Sequence, residues 1–281
     1  MDKDRAFREV QENIGKKRYD IVGPQVMLIA SEYSDDPITL LTCASLLKVV
    51  EDDDRVMDIV GMISACSDDV SKPRLEIAKG LKGLGFPAES DAILRKLSVT
   101  DVVLRERMNA LHMMCRYPEA VEVHDDMEVP TITDDVEYVD ILLSMKENTK
   151  AIETATSILG EEPDDYDVLR CYCSALLRSG QQKEAERFVK DYLKKDKNSA
   201  TGNALAAFFM WMTGKTSAAG GFATKAVKTD SKHIGGMEIL AICLIEKKKI
   251  PEAKIVAGAI NETNPGHPAV IRILNMCKQK I

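Results

Sequence analysis

The sequence predicts an all-α protein built from repeated pairs of helices. Three observations support this prediction. Leu, Ala, Met and Ile fill most apolar positions and aromatic residues are only 5% of the chain; straight-chain residues and Ala lose little rotamer freedom in a helix. Apolar residues recur at helical spacing along most of the sequence. In the second half of the chain, residue types also repeat at a constant interval, which indicates a repeat architecture.

The 34-residue period is clearest between residues 132 and 267. Its most distinct column consists of alanines, namely Ala151, Ala185, Ala219 and Ala253. Four more columns keep the same interval: Leu142, Leu176, Met210 and Leu244; Ala155, Val189, Ala223 and Ala257; Val139, Cys173, Ala207 and Ala241; Glu162, Asp196, Asp230 and Asn264. The period divides this part of the chain into repeats 132–165, 166–199, 200–233 and 234–267.

Each repeat reads as two helices joined by a turn. In repeat 166–199, apolar residues from Val168 to Leu177 recur at helical spacing, and Ser179-Gly180 then interrupts the pattern as a helix end does. A second helix follows, with Ala185 on its apolar face. Acidic residues fall in its first turn and lysines in its last, where the helix dipole favours each charge.

These features resemble the tetratricopeptide repeat family. The period matches, as do Gly180 and Gly214 near the inter-helix turns, the alanine that opens each second helix and the Asn264-Pro265 ending. Leu169, Asn203 and Met237 stand where that family commonly has a bulky aromatic residue. The resemblance covers residues 132–267 and is looser over 1–131. It implies an α-solenoid, a right-handed superhelix of helix–turn–helix pairs.

Upstream of residue 132 the period drifts, since the interval from Ala120 to Ala151 is shorter than the intervals that follow. Helix pairs are nevertheless expected over residues 1–33, 37–66, 71–100 and 102–127. In the third pair the second helix is expected to reach Leu97, and in the fourth Tyr117-Pro118 marks the turn. Residues 268–281 predict a closing helix that covers the exposed side of the last repeat. The prediction is thus roughly 17 helices in three segments, 1–131, 132–267 and 268–281, which form one continuous superhelix.

Composition favours a soluble, cytoplasmic protein. The charged N-terminus leads into no apolar run. The longest stretch without Asp, Glu, Lys or Arg, Asn198 to Gly214, is too short and too polar to cross a membrane. Seven cysteines at irregular spacing fit reduced thiols packed as small hydrophobes in a reducing compartment.

Charge is distributed unevenly along the chain. Residues 1–140 carry 17 Lys/Arg against 29 Asp/Glu, whereas residues 141–281 carry 21 against 16. Such an asymmetry could assemble copies head to tail as a homo-oligomer. The simpler interpretation is two sets of solvated helix faces that differ in composition.

The sequence predicts no catalytic residue, metal site or cofactor, and hence no enzyme. Gly214-Lys215-Thr216 lacks the upstream glycine and the strand of a phosphate-binding loop. The run His112 to Cys115 cannot close on one metal, because consecutive helical residues point in different directions. The lysines after Asp167 cluster at helix ends without interleaved aromatic residues, which argues against nucleic acid.

The resemblance implies instead that an unidentified protein or peptide partner binds in a concave groove lined by the first helix of each pair. It assigns a mostly apolar set of residues to this groove: Leu205, Phe208, Trp211, Met212, Ile239, Ile242, Ile245 and Arg170. Two alternatives stay open, namely that the closing helix or a tight superhelix covers these residues, or that they form a dimer interface. A small-molecule or regulatory sensor is a further, less favoured alternative.

Chaperone-binding members of the family clamp a partner's terminal carboxylate with Lys, Asn and Arg. The corresponding places here are held by Val136, Asp140, Arg170, Ser174, Leu205, Gly235 and Ile239, of which only Arg170 is basic. The sequence therefore predicts that this clamp is absent. A small polar patch is a second, weaker candidate for the groove; it comprises Lys79, Lys82, Arg105 and Asn109.

Overall fold

The structure is a computed structural model that describes residues 2–66, 72–264 and 267–279. Within these ranges every regular element is an α-helix and there are 17 of them, which confirms the predicted fold class and helix number. The contacts divide the chain into an N-terminal unit, Met1–Val129, and a C-terminal unit, Pro130–Ile281. None of the described helices combines the length and the apolar run needed to cross a membrane.

The N-terminal unit contains four helix pairs. Their bounds are α1 Lys3–Gly15, α2 Tyr19–Glu32, α3 Pro37–Val49, α4 Asp53–Cys66, α5 Arg74–Gly83, α6 Pro87–Leu94, α7 Asp101–Met113 and α8 Tyr117–Asp125. One predicted detail was wrong, since the second helix of the third pair ends at Leu94 rather than Leu97. Tyr117-Pro118, which marks the junction of the fourth pair, begins α8, and Pro118 lies in the first helical turn, where proline is well suited.

The C-terminal unit contains four pairs and a closing helix. Their bounds are α9 Ile132–Ser144, α10 Asn148–Glu161, α11 Tyr166–Arg178, α12 Gln182–Lys195, α13 Ala200–Met212, α14 Thr216–Thr229, α15 Ile234–Glu246, α16 Ile250–Thr263 and α17 Pro268–Gln279. The helix starts recur with the same period as the sequence columns, as predicted. Pro265, which contributed to the sequence resemblance, and residues 280 and 281 of the predicted closing helix lie outside the described residues.

Side chains at one repeated position begin the first helices of the C-terminal unit. Thr131 forms a capping box with Asp134, the Asp165 carboxylate accepts the Val168 N–H, and the Ser199 hydroxyl accepts the Gly202 N–H. Each bond satisfies an N–H that has no partner inside the helix. The starting residues of the groove helices are therefore fixed locally by the sequence.

The turns inside the pairs share one backbone feature. Among the described residues, eight have a left-handed φ, one in each turn between the two helices of a pair: Lys17, Glu51, Gly85, Cys115, Lys146, Gly180, Gly214 and Lys248. Three of these residues are glycine, for which this conformation carries no steric penalty. The other five hold an L side chain in a conformation that such residues disfavour.

Small side chains let the two helices of each pair approach closely. The alanine column is completely buried, and the corresponding position in the N-terminal unit holds Val22, Val56, Ser90 and Ala120, which are also completely buried. The starts of α2, α4 and α6 are themselves separated by the same interval as the repeats of the C-terminal unit. The regular period thus reaches further upstream than predicted, with Val and Ser in place of Ala.

Helix α17 closes the C-terminal unit by packing on α15 and α16. Ala269, Ile273 and Cys277 are buried in a core shared with those two helices, which confirms the predicted covering role. On the opposite side of α17, Ile271 and Leu274 are 47% and 38% exposed. The closing helix also brings its own side chains beside the first helices of the preceding repeats.

Candidate functional groove

The first helices of the C-terminal unit enclose a cavity of about 300 Å³. Five helices contribute to it, namely the first helices α9, α11, α13 and α15 and the closing helix α17. Its lining consists of Glu137, Asp140, Tyr166, Arg170, Phe208, Trp211, Glu238, Ile239, Ile242, Arg272, Ile273 and Met276. We call this space the apolar cavity, because its wall combines six large apolar or aromatic side chains beyond Tyr166.

The aromatic part of the wall comes from α13. The rings of Phe208 and Trp211 lie 6.2 Å apart, centroid to centroid, at a tilted angle. Phe208, Ile239 and Ile242 are buried, so they form the floor, whereas Trp211 is only partly buried. The cavity therefore presents a firm apolar base and an accessible indole.

Polar contacts orient the indole of Trp211. Its Nε1–H donates to Oε1 of Glu246 over 3.2 Å, and the other oxygen of that carboxylate accepts the Thr216 hydroxyl over 2.6 Å. Trp211 thus reaches from α13 to the end of α15. A buried or half-buried indole N–H usually needs such a partner, and here the partner leaves the ring facing the cavity.

Charged side chains of the cavity pair with one another. The guanidinium of Arg170 lies 3.8 Å from Asp140 and 3.5 Å from Asp167, and that of Arg272 lies 2.6 Å from Glu238. Burial opposes the charge on Arg170, but Asp140 and the other neighbouring groups outweigh it, so the pKa of Arg170 lies above its ordinary value. Both arginines of the cavity are thus paired with carboxylates, and the lining as a whole holds three acidic side chains and two basic ones.

A second cavity of about 340 Å³ adjoins the first and shares Tyr166, Arg170, Glu238 and Arg272 with it. The remaining lining residues are Asp167, Lys232, His233, Ile234, Gly235, Asn264 and His267. We call this space the polar cavity and the two cavities together the groove. The groove thus changes from apolar to polar along one continuous surface of the first helices.

Gly235 is required by the packing of α11 against α15. A Cβ at this position would lie 2.0 Å from Cε1 of Tyr166, so no other residue fits without moving the ring. The ring of Tyr166 also meets that of His233 edge to face, 5.0 Å between centroids. Burial raises the pKa of Tyr166 above its ordinary value, so its hydroxyl stays protonated at neutral pH.

Two histidines begin helices at the polar cavity. Nδ1 of His233 accepts the Gly236 N–H over 3.1 Å, and Nδ1 of His267 accepts the Ala269 N–H over 3.2 Å. The side chain of His267 is partly buried and bonds to the first turn of α17. Both histidines extend the column of capping residues formed by Thr131, Asp165 and Ser199.

Five of the eight residues that the sequence assigns to the groove line the apolar cavity, namely Arg170, Phe208, Trp211, Ile239 and Ile242. The other three do not. Leu205 and Ile245 are completely buried in hydrophobic cores, because neighbouring helices cover them. Met212 is 38% exposed but, one residue after Trp211, points away from the cavity.

Both lysines of the weaker polar patch form ion pairs with glutamates of the N-terminal unit. Lys82 forms an ion pair of 2.6 Å with Glu106, the two side chains being 19% and 15% exposed, and Lys79 lies 3.2 Å from Glu76. The Asn109 side chain donates to the backbone carbonyl of Arg105. The structure therefore brings α5 and α7 together but uses these groups for internal contacts.

Sequence reasoning missed several groove residues that the repeat columns could have identified. Met276 lies one period after Ile242 and two after Phe208, and Ile273 lies one period after Ile239. Arg170, Glu238 and Arg272 also share one column. Arg170 was among the predicted groove residues, whereas Arg272, Ile273 and Met276 were overlooked because the closing helix was treated only as a cover, not as a further wall of the groove.

The remaining side chains that often carry chemistry in proteins are possible metal ligands and cysteines. Within the described ranges, no group of three or more His, Cys, Asp and Glu side chains is placed to hold a metal ion. Five of the seven cysteines are buried, and all seven are free thiols. Burial raises the pKa of Cys173 to about 12 and also raises that of Cys171, so both remain protonated thiols at neutral pH.

Comparisons with known proteins agree with the repeat pattern. Residues 142–207 match the model of a family described as tetratricopeptide repeat. A tetratricopeptide repeat protein from Parabacteroides merdae is 9% identical, with 86% of this chain and 98% of that chain covered and a TM-score of 0.49. A thermophilic protein with such repeats from Thermus thermophilus is 13% identical, with 72% and 96% covered and a TM-score of 0.39. No curated protein matches this chain.

Proposed function

We propose that this chain, which contains tetratricopeptide repeats over residues 142–207, is an interaction scaffold that binds a protein or peptide partner in the groove of its C-terminal unit. The observation that carries the proposal is the apolar cavity of about 300 Å³ between the first helices of four repeats and the closing helix α17. Such a space, with an apolar floor and a few convergent polar groups, is typical of binding sites.

The shape and chemistry of the groove favour a partner with one bulky apolar side chain. The cavity has room for a single Leu, Met or Phe side chain, whose burial supplies about 2 kcal/mol. Arg170 and Arg272 are paired with carboxylates and Glu137 is a further acidic lining residue, so the cavity has no basic surface that would require an acidic partner. Arg272, 60% exposed, can still donate to a partner's backbone carbonyl.

The state of the ionisable groups supports binding rather than catalysis. The two arginines of the apolar cavity are paired with carboxylates, and the buried thiol of Cys171 nearby remains protonated. An activated nucleophile would need a lowered pKa or an adjacent base. Neither accompanies Cys171 or Cys173, whose raised pKa values follow from burial.

A selection from a random peptide library, displayed against the full chain, tests the proposal. We expect enriched peptides to share one bulky apolar residue. Met276→Glu, which places a carboxylate at the partly buried edge of the apolar cavity, is expected to weaken binding of a selected peptide at least about tenfold, or about 1.4 kcal/mol. Isothermal titration calorimetry measures the affinity.

Ile255→Glu provides the matched control. Ile255 is an apolar residue of the same unit, but it lies on the second helix α16, is 72% exposed and does not line the groove. We expect this variant to bind the peptide with unchanged affinity. Equal affinities of the Met276→Glu variant and the wild type, or selection of peptides without an apolar residue, would refute the proposal.

A further inference from the structure

Two histidines occupy the capping position of the helices that form the C-terminal wall of the groove. His233 precedes α15 and His267 precedes α17, and each accepts a backbone N–H of the first helical turn at Nδ1. An imidazole can accept at Nδ1 only when it is neutral and carries its proton on Nε2. In the three preceding repeats the same position holds Thr131, Asp165 and Ser199, whose side-chain oxygens accept the corresponding backbone N–H.

The surroundings of His233 keep it neutral at pH 7. Burial lowers its pKa below the ordinary value, although Asp230 in the preceding turn and Asp167 on α11 oppose this effect. The ring of Tyr166, also on α11, packs against the imidazole, and Lys232 and Glu238 line the same cavity.

His267 has a similar environment. Burial lowers its pKa, and Arg272 on its own helix adds to this effect, whereas Glu238 on α15 and Asp167 on α11 oppose it. Its side chain lies in the polar cavity together with Asn264. The carboxylates of Asp167 and Glu238 and the guanidinium groups of Arg170 and Arg272 line the same cavity as both histidines.

Protonation would reverse the role of each imidazole. Nδ1 would become a donor facing the Gly236 or Ala269 N–H, and a positive charge would stand at a helix N-terminus, where the dipole favours a negative one. Loss of an N-cap weakens the first turn of a helix about fivefold in its local equilibrium. Since α15 carries Ile239 and Ile242, and α17 carries Ile273 and Met276, both effects act on the wall of the apolar cavity.

We propose that His233 and His267 make the groove sensitive to pH, so that acidification below about pH 6 removes the caps of α15 and α17 and weakens partner binding. The binding part of this inference rests on the proposed function, whereas the loss of the caps does not. The sign follows from the direction of the shifts. The capped state is fully populated above the ordinary histidine pKa of about 6.5 and is lost as pH falls through the lower folded-state values.

The test compares the full chain with the double variant His233→Asn and His267→Asn. Asparagine caps a helix as well as serine does and has no charge to gain. Amide hydrogen exchange, corrected for its intrinsic pH dependence, is measured at Gly236 and Ala269 between pH 7 and pH 5. We expect protection to fall about fivefold in the wild type and to remain constant in the double variant.

The Gly202 amide, capped by Ser199, is the internal control and should keep its protection in both proteins. If the asparagine pair does not fold, the serine pair replaces it, since Ser199 holds the same position. Constant protection in the wild type, or an equal loss in both proteins, would overturn the inference.

The peptide selected for the groove supplies the second measurement. We expect its affinity to fall between pH 7 and pH 5 for the wild type and to stay level for the double variant. If the caps respond to pH and the affinity does not, the regulatory part of the inference is wrong. If no peptide binds at either pH, the proposed function fails, while the exchange data still decide the behaviour of the caps.

Discussion

Ser90 is the polar member of a column of small buried residues. It lies in the first turn of α6, at the place where five other second helices have alanine and two have valine. The side chain is completely buried and its hydroxyl oxygen has no hydrogen-bond partner. A buried hydroxyl without a partner lowers stability, because it has lost its bonds to water.

Ser90→Ala is therefore expected to raise the free energy of unfolding by about 1 kcal/mol. The replacement keeps the small volume of the column and removes the unpaired oxygen. Urea denaturation followed by circular dichroism measures the change. Ala120→Ser, at the same position of α8, should lower the free energy by a similar amount; a loss of stability in Ser90→Ala would show that the hydroxyl is satisfied.

The residues with a left-handed φ in the turns are a second feature at the scale of single residues. Lys248 has φ 59° and its side chain is exposed, whereas Gly180 and Gly214 occupy the same place in the two preceding turns. Lys248→Gly should raise the free energy of unfolding by about 1 kcal/mol, since glycine adopts this conformation without steric conflict. Thermal denaturation tests the prediction, and Lys247→Gly, at φ −82°, is the control in which no gain is expected.

At the scale of elements, Asp91 joins the last two helix pairs of the N-terminal unit. Its carboxylate on α6 is 5% exposed and lies 2.8 Å from Arg95, 3.3 Å from Arg107 on α7 and 3.9 Å from Arg116 at the start of α8. One buried negative charge thus holds three guanidinium groups from successive helices. The α6 to α8 segment, where the helix spacing departs from the regular period, has this ionic cluster in addition to its apolar core.

Asp91→Asn is expected to lower the free energy of unfolding by about 3 kcal/mol, because it leaves the guanidinium of Arg107, 21% exposed, without its nearest carboxylate. Glu119→Gln serves as a comparison, since Glu119 pairs with Arg116 at a more exposed site and should contribute less than about 1 kcal/mol. Equal effects of the two substitutions in urea denaturation would contradict this account of the cluster.

The helices themselves were largely predictable from local signals. Turn residues such as Gly180, acidic first turns and the alanine column mark the bounds of the pairs between residues 132 and 267. The regular spacing of α2, α4 and α6 was missed because Val22, Val56 and Ser90 replace alanine in that column. This buried position between the two helices of a pair holds alanine, valine or serine. A search of the sequence for alanine alone therefore does not find every repeat.

The groove was less predictable, because it depends on contacts between repeats. Phe208, Trp211 and Ile242 were identified from their place in the first helices. Leu205 and Ile245 have similar places but are covered by neighbouring helices, and a single-helix pattern cannot report this. The histidine caps were also missed, since their role requires the distance from Nδ1 to a backbone N–H.

For the whole molecule, the central claim is that the groove of the C-terminal unit binds a partner through an apolar side chain. The chain offers a direct reporter of this event, because Trp211 is its only tryptophan and lines the apolar cavity. A bound apolar side chain would displace water from the indole and change its emission.

The most direct measurement is the fluorescence of Trp211 during titration with a selected peptide, beside the affinity obtained by calorimetry. We expect the emission to shift to shorter wavelength and to saturate with the calorimetric dissociation constant, and the shift to be absent in the Met276→Glu variant at the same peptide concentration. Calorimetric binding that leaves the Trp211 emission of the wild type unchanged would place the partner elsewhere and contradict the claim.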